Sequence, residues 1–277
     1  MAGTVGIVAP FFSRWFFTQF MSGAEHVLSK QDMNLLLLPI PAIQGYETHF
    51  SQERLNGRLD GVIISGLLIS DVEIAFLHTL NVPVVLTGIH HKAFSSVAID
   101  DVGAARTATQ HLVNLGHKKI GLLSGGPIDP YIMNPPGLRR KGFMQVLEES
   151  NIEWHPGFEV HGDFAIITSA RAMDDLLARR NRPTAIFCES DEMAFGAIQS
   201  ALRHGLRIPE DISIIGFDGH DLAEFANLTT ISQPVRTLGE MAAWSLLERM
   251  KKPRELPPTL TLPTQLIVRN STRRFEG

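Results

Sequence analysis

The sequence predicts an α/β protein made of two doubly wound parallel-sheet lobes, and three observations indicate it. The chain has 277 residues, which is long for one compact core and suits two lobes, since single domains usually have about 100 to 200 residues. Short apolar runs rich in β-branched residues are each followed by a longer segment of helical period, as in parallel sheets. Several of these runs lack polar alternation, which is typical of strands covered by helices on both faces.

The predicted strands and helices alternate along the chain. Strands are expected at residues 4–9, 34–39, 61–65, 84–87, 96–99, 119–124, 185–189 and 213–217. Helices are expected at residues 14–30, 52–57, 71–80, 101–115, 138–150, 168–180, 191–204 and 235–251. The helix over 191–204 has a continuous apolar stripe, with Ser190 placed to cap its start and Gly205 its end.

The composition argues against a nucleic-acid surface on this chain. The formal net charge is −4 and the sequence pI is about 6.3, whereas binding to phosphate requires an excess of Lys and Arg. The single cysteine, Cys188, lies in an apolar run and fits a reducing compartment. No basic segment precedes the short apolar stretch before Pro10, and no run approaches the roughly 20 apolar residues of a membrane span. We therefore expect a cytoplasmic protein that makes no membrane contact.

Common catalytic signatures are absent from the sequence. No phosphate-binding loop, dinucleotide fingerprint, zinc-protease motif or nucleophile elbow occurs. The adjacent His90 and His91 would point apart in an extended segment, and His111 and His117 lack the spacing of a helical metal pair. The prediction is a protein without catalytic residues, metal or cofactor.

Several segments, in order along the chain, carry a family resemblance. They are VGIVAP at 5–10, WFF at 15–17, DGVII at 60–64, HLVNLGHKKIG at 111–121, RRKGF at 139–143, TAIFCESDEMAFGA at 184–197, GLRIPEDISIIGFD at 205–218, LTTISQP at 228–234 and LIVRNST at 266–272. Together they resemble the lactose/galactose-repressor (LacI/GalR) family of transcriptional regulators.

The resemblance implies a periplasmic-binding-protein-like (type I) fold, in which two lobes are joined by three crossovers and hold an effector between them. Crossovers near Asp100, Gln233 and Leu260 give an N-terminal lobe of 1–100 plus 234–259 and a C-terminal lobe of 101–233 plus 260–277. The family also carries a helix-turn-helix head before the point where this chain starts, so contact with operator DNA is expected through a head that is missing here.

Two charged residues are the main candidates for effector binding. Asp218 ends a predicted strand, where ligands bind in open α/β sheets, and its carboxylate could accept hydrogen bonds from hydroxyl or amine groups. Its alternative role is that of a turn aspartate. The resemblance implies that Arg139 contacts the effector with its planar guanidinium, while Arg140 beside it is expected to be a solvated charge.

Four further positions are implied by the resemblance. Phe16 and Phe164 match positions where family members present rings to the effector, and core packing is the alternative for both. Ser190 replaces a usual asparagine and could act only as a helix cap. Asp191, its neighbour, is expected at the edge of the cleft.

Gly88 departs from the family pattern, because the strand before it usually ends in Asp. The loss of that acceptor argues against ordinary hexose recognition. Bulky and cationic residues around Phe11 and Arg14 suggest an aromatic or anionic effector. A sugar, a nucleobase or a related small molecule is therefore expected.

The predicted function is effector-controlled transcriptional repression, in which ligand binding shifts the conformation of a homodimer. The resemblance places the dimer contacts on the helices over 14–30, 71–80 and 191–204. The main alternative is a periplasmic-type solute-binding protein for sugar uptake. An enzyme using Ser124 as a nucleophile is a further alternative, although Ser124-Gly-Gly is more simply a turn after a strand.

Overall fold

The computed structural model describes residues 3–39, 58–67, 69–126, 135–252 and 258–276. The described chain divides into two compact units. The first contains residues 3–39, 58–67, 69–99, 234–252 and 258–262, and the second contains residues 100–126, 135–233 and 263–276. The helix predicted over 52–57 lies outside the described residues.

The described elements alternate between strands and helices. In chain order they are β1 (Gly3–Ala9), α1 (Trp15–Leu28), β2 (Met33–Pro39), β3 (Gly61–Ser65), α2 (Asp71–Thr79), β4 (Val84–Thr87), β5 (Ser95–Ile99), α3 (Asp101–Asn114), β6 (Ile120–Ser124), α4 (Pro135–Glu149), β7 (Glu159–His161), α5 (Ile166–Leu177), β8 (Ala185–Cys188), α6 (Asp191–Arg203), β9 (Ser213–Asp218), α7 (Leu222–Phe225), β10 (Thr229–Ser232), α8 (Val235–Lys251), β11 (Thr259–Leu262) and β12 (Gln265–Ile267). Short 3₁₀ turns occupy Ser29–Gln31 and Pro156–Phe158. No helix in the described ranges is both long and apolar enough to cross a membrane.

The first unit has a six-stranded sheet in the order β11-β5-β4-β3-β1-β2, and all its pairings are parallel. Helix α8 packs against α1 at very short range, because Gly23 of α1 and Gly239 of α8 leave room for the facing backbone. A β-carbon on Gly23 would lie 2.0 Å from the carbonyl oxygen of Arg236. A side chain at either glycine would therefore force these two helices apart.

Strand β11 corrects the predicted third crossover. Residues 260–262 were expected in the C-terminal lobe, but Thr259–Leu262 pairs in parallel with β5 of the first sheet. The chain leaves the first unit only after Leu262. The run of Thr and Leu in this segment has the alternation of an edge strand, and β11 is the edge of that sheet.

The second unit has a six-stranded sheet in the order β12-β10-β9-β8-β6-β7, in which only the pairing of β12 is antiparallel among the described strands. Strands β6, β8 and β9 are fully buried, as their continuous apolar runs predict. The predicted caps are also present. Ser190 accepts a hydrogen bond from Met193 N at 3.2 Å, and Gly205 follows α6 with a φ of +70°.

Candidate functional site

The carboxyl edge of the second sheet gathers polar side chains. Because β6, β8, β9 and β10 are parallel, their last residues lie along one edge. Ser124, Glu189, Asp218 and Gln233 stand at or directly after these ends, and all four are buried. This edge is where open α/β sheets place ligand-binding groups.

Arg139 is the central cation of this edge. Its Nε donates a hydrogen bond to Asp101 Oδ1 at 2.8 Å, and its Nη1 donates to the carbonyl oxygen of Glu189. The guanidinium carbon also lies 3.7 Å from the centroid of the Phe217 ring, a cation–π contact. Arg139 is therefore a buried and oriented side chain, whereas the side chain of Arg140 is 42% exposed and pairs with Glu159.

A glycine brings Arg139 to Asp101. A β-carbon on Gly142 in α4 would lie 2.3 Å from the carbonyl oxygen of Val102 in α3. Since Gly142 is three residues after Arg139, the close approach of the two helices lets the guanidinium reach the first residue of α3. Desolvation raises the pKa of Asp101 from its usual range, and the charge and hydrogen bond of Arg139 oppose that rise.

Asp218 ends β9 in an unusual conformation. Its φ is +120°, a region that residues other than glycine rarely occupy. Gln233 Nε2 donates to Asp218 Oδ1 at 2.7 Å, and Arg139 Nη1 lies 3.7 Å from the same oxygen, too far for a hydrogen bond. Burial raises the pKa of Asp218 to about 7, although Arg139 and Gln233 both favour the ionised form.

Glu189 is a further buried carboxyl at this edge. Its Oε2 accepts a hydrogen bond from Gly125 N at 2.9 Å, while its Oε1 has no hydrogen-bond partner in the described part of the chain. Burial raises its pKa to about 8, against the hydrogen bond of Gly125 and the charge of Arg139. The carboxyl therefore gains a proton far more readily than an exposed glutamate.

Asp191 and Ser190 make their side-chain hydrogen bonds within the second unit. Asp191 Oδ1 accepts from Thr230 Oγ1 at 2.7 Å and Oδ2 accepts from His220 N at 2.7 Å. Burial raises the pKa of Asp191 well above its usual range. The Ser190 hydroxyl caps α6. The Asp191 contacts join the start of α6 to the segment after β9 and to β10.

Phe164 stacks against the end of β6. It has a φ of +52°, and a β-carbon on Gly125 would lie 2.0 Å from the edge of its ring. The ring is half-buried and also packs against the core of the second unit. Gly125 therefore contacts both the Phe164 ring and the Glu189 carboxyl.

Phe16 lies in the first unit. Its half-buried ring meets Phe17 edge-on at a centroid distance of 5.2 Å. Phe17 is buried, and the Arg14 guanidinium lies over the Phe11 ring at 4.0 Å. Gly88 follows β4 with a φ of +82°, a conformation that favours glycine over the aspartate usual there.

Ser124 contacts a histidine: its Oγ lies 2.6 Å from His161 Nδ1, within hydrogen-bonding distance. Across the described residues no carboxylate is hydrogen-bonded to His161, so the orienting group of a Ser-His-Asp triad is not present there. The described ranges also contain no group of three or more His, Cys, Asp or Glu side chains that could hold a metal ion.

Three residues of this edge were missed from the sequence: Asp101, Glu189 and Gln233. Asp101 begins the predicted helix over 101–115, so it resembled an ordinary residue of the first helical turn. Gln233 lies directly before Pro234, in the LTTISQP segment that carried the resemblance. Glu189 follows an apolar strand as Asp218 does, and that signal could have identified it.

Comparison with known proteins shows the family. The model of the periplasmic binding protein-like domain matches residues 109–272. Catabolite control protein A of Priestia megaterium is 31% identical over 98% of this chain and 82% of its own length. The HTH-type transcriptional repressor CytR of Escherichia coli (strain K12) is 32% identical over 98% of this chain and 79% of its own length.

Solved structures give the same result. A LacI family transcriptional regulator from Enterococcus faecium with bound ribose has a TM-score of 0.86 at 28% identity, covering 99% of this chain and all of its own. The transcriptional regulator CelR in complex with cellobiose has a TM-score of 0.82 at 29% identity, covering 97% of this chain and 84% of its own. The chain therefore belongs to the LacI/GalR family of transcriptional regulators and comprises the family's periplasmic-binding-protein-like domain.

Proposed function

We propose that this chain senses a small-molecule effector and thereby controls a DNA-binding transcriptional repressor. The observation that carries the proposal is the buried Arg139, which the partners Asp101 and Asp218 hold at the carboxyl edge of the second sheet. Relatives that share the fold have been solved with ribose and with cellobiose, and two relatives that span the chain are named as a control protein and a repressor.

The proposed effector contacts in the second unit are Arg139, Asp218 and Phe164. The guanidinium and the carboxylate offer a donor fork and an acceptor, and Phe164 offers an aromatic face to a sugar or a base. Asp191 is proposed to position Asp218, because it binds the backbone of His220 two residues after it, and Ser190 is proposed to support the site as the cap of α6. Regulation follows if the effector binds one conformation of the protein more tightly than another.

The solute-binding alternative shares the fold, and the named relatives favour the regulator. The regulator that we propose is a homodimer, in which the effector shifts the conformation of both subunits. In the second unit Ile167, Leu222 and Phe225 expose large apolar side chains, with Phe225 88% exposed. A contact between two copies of the chain would cover these side chains.

Calorimetric titration with a panel of sugars and nucleosides tests the proposal. We expect one class to bind, Arg139→Lys and Asp218→Asn to weaken that binding at least tenfold, and Arg140→Lys to leave it unchanged. Arg140 is the matched control because it lies in the same helix and pairs with Glu159 instead. Equal affinity in all four proteins would contradict the site.

A further inference from the structure

The carboxylates at the carboxyl edge of the second sheet differ in how their oxygens are satisfied. Both oxygens of Asp191 accept hydrogen bonds, and Asp218 Oδ1 accepts one from Gln233. Glu189 Oε1 is buried and accepts none from any residue that the structure describes. Buried polar atoms are rarely left without a partner, because an unpaired acceptor loses its bond to water without replacement.

The position of Glu189 ties this oxygen to the proposed effector contacts. Gly125 N fixes the other carboxylate oxygen at 2.9 Å, and the carbonyl of Glu189 accepts a hydrogen bond from Arg139. The Phe164 ring packs directly on Gly125. The unpaired oxygen therefore belongs to a residue whose carboxyl is bonded to Gly125, which contacts Phe164, and whose backbone carbonyl is bonded to Arg139. Phe164 and Arg139 are both proposed effector contacts.

The charges around Glu189 indicate which kind of effector would suit its unpaired oxygen. Arg139 is the cation that favours its ionised form, while Glu159 and Asp101 act against ionisation. The guanidinium already bonds to Asp101 at 2.8 Å and lies 3.7 Å from Asp218. One cation thus faces several carboxyls, so an anionic effector, as Arg14 suggested from the sequence, is unfavourable here.

We propose that Glu189 is a specificity-determining residue of the effector site, whose Oε1 accepts a hydrogen bond from an amino group on a planar nitrogen heterocycle. The ionised carboxylate suits an exocyclic amino group, which only donates, and Phe164 supplies a face for a planar ring. Because burial keeps a proton on the carboxyl below about pH 8, binding of the amino group displaces that proton, and the affinity should rise with pH toward 8. The inference rests on the proposed function, which it narrows from small molecules in general to amino-bearing bases and their nucleosides.

The test compares ligands that differ by one amino group. Adenosine and purine riboside share the ring and the ribose, and cytidine, guanosine and ribose complete the panel for calorimetry on the whole chain. We expect at least one amino-bearing nucleoside to bind. If adenosine is that nucleoside, it should bind at least tenfold more tightly than purine riboside.

Glu189→Gln should weaken binding of the amino-bearing ligand about tenfold and leave the binding of ribose or purine riboside unchanged. Glu149→Gln, an exposed carboxyl at the end of α4 that pairs with Arg106, should change neither.

The outcomes separate this inference from the proposed function. If no amino-bearing nucleoside binds, or if Glu189→Gln binds it as tightly as the wild type, the role of Glu189 is overturned. The proposed function survives that result when another ligand binds with dependence on Arg139 and Asp218. Circular dichroism of each variant confirms folding, and Glu189→Met offers a second replacement of similar length that removes both carboxylate oxygens.

Discussion

Arg139 and Asp101 form a buried ion pair, in which Arg139 Nε donates to Asp101 Oδ1 at 2.8 Å and both side chains are at most 6% exposed. Burying two charges is unfavourable unless their geometry is good and their other bonds are satisfied. Here Nη1 donates to the Glu189 carbonyl, and the guanidinium carbon lies over the Phe217 ring. The pair therefore fixes where the guanidinium points, and a ligand meets it already oriented.

Replacement of Arg139 should destabilise the second unit strongly. Arg139→Met leaves Asp101 and Asp218 buried without their cation, and we expect a loss of about 3 to 5 kcal/mol at pH 7. The loss should shrink toward pH 5, because both carboxyls can then be protonated. Urea unfolding followed by circular dichroism measures the change.

Arg140→Met is the control for this experiment. Its side chain is 42% exposed and pairs with Glu159, so its removal should cost less than about 1 kcal/mol. Equal destabilisation by the two substitutions would show that the Arg139 pair has no special role.

Stability should fall as pH rises from 5 to 8. The folded pKa values of Asp218, about 7, and Glu189, about 8, lie above the ordinary values of 3.8 and 4.5. Between the two values of each group the folded chain holds a proton that the unfolded chain releases, so ionisation favours unfolding. Each group contributes a slope of at most about 1.4 kcal/mol per pH unit.

Variants isolate this effect from other titrating groups. Burial lowers the pKa of His117, which makes stability rise with pH near neutrality and partly hides the carboxyl effect in the wild type. The difference in melting temperature between the wild type and Glu189→Gln, measured from pH 5 to 8.5, removes that contribution. We expect the melting temperature of the variant to rise steadily relative to that of the wild type up to about pH 8. A difference in melting temperature that stays constant with pH would contradict a raised pKa of Glu189.

Much of the fold follows from the sequence, because it depends on local pattern. Continuous apolar strands such as β8 and β9 and the capped helix α6 were predicted within a residue or two. The short edge strands β7 and β12 were not, since three residues at a sheet edge carry little periodicity. In the site, Asp218 and Arg139 came from the family resemblance. The Asp101 contact could not be predicted, because it depends on how closely Gly142 lets two helices approach.

Substitution of Gly125 should disturb the Phe164 ring. In Gly125→Ala the new methyl group would lie 2.0 Å from the ring, so the ring must move, and we expect a loss of about 1 to 3 kcal/mol from overpacking. Effector affinity should fall as well. Gly157→Ala is the control, since its new β-carbon would lie 3.2 Å from the exposed His155 ring.

A double variant separates crowding from other causes. If the clash with the ring is responsible, Gly125→Ala combined with Phe164→Ala should be more stable than the sum of the two single changes predicts. Strict additivity would mean that the glycine matters for its backbone alone. Thermal unfolding of the four proteins decides between these outcomes.

The exposed apolar side chains of the second unit should control self-association. Phe225 is 88% exposed and lies in the short helix α7 with Leu222, which is 54% exposed. Phe225→Asp should change the stability of the isolated subunit by less than about 0.5 kcal/mol, as is usual at the surface. It should weaken a dimer at least tenfold, because a charge would then be buried in the contact.

Val268→Asp is the matched control, since Val268 is also apolar and 60% exposed in the same unit. Sedimentation velocity across a hundredfold range of concentration measures both variants, and a wild type that stays monomeric throughout, or an equal shift in the control, would contradict a dimer formed through α7.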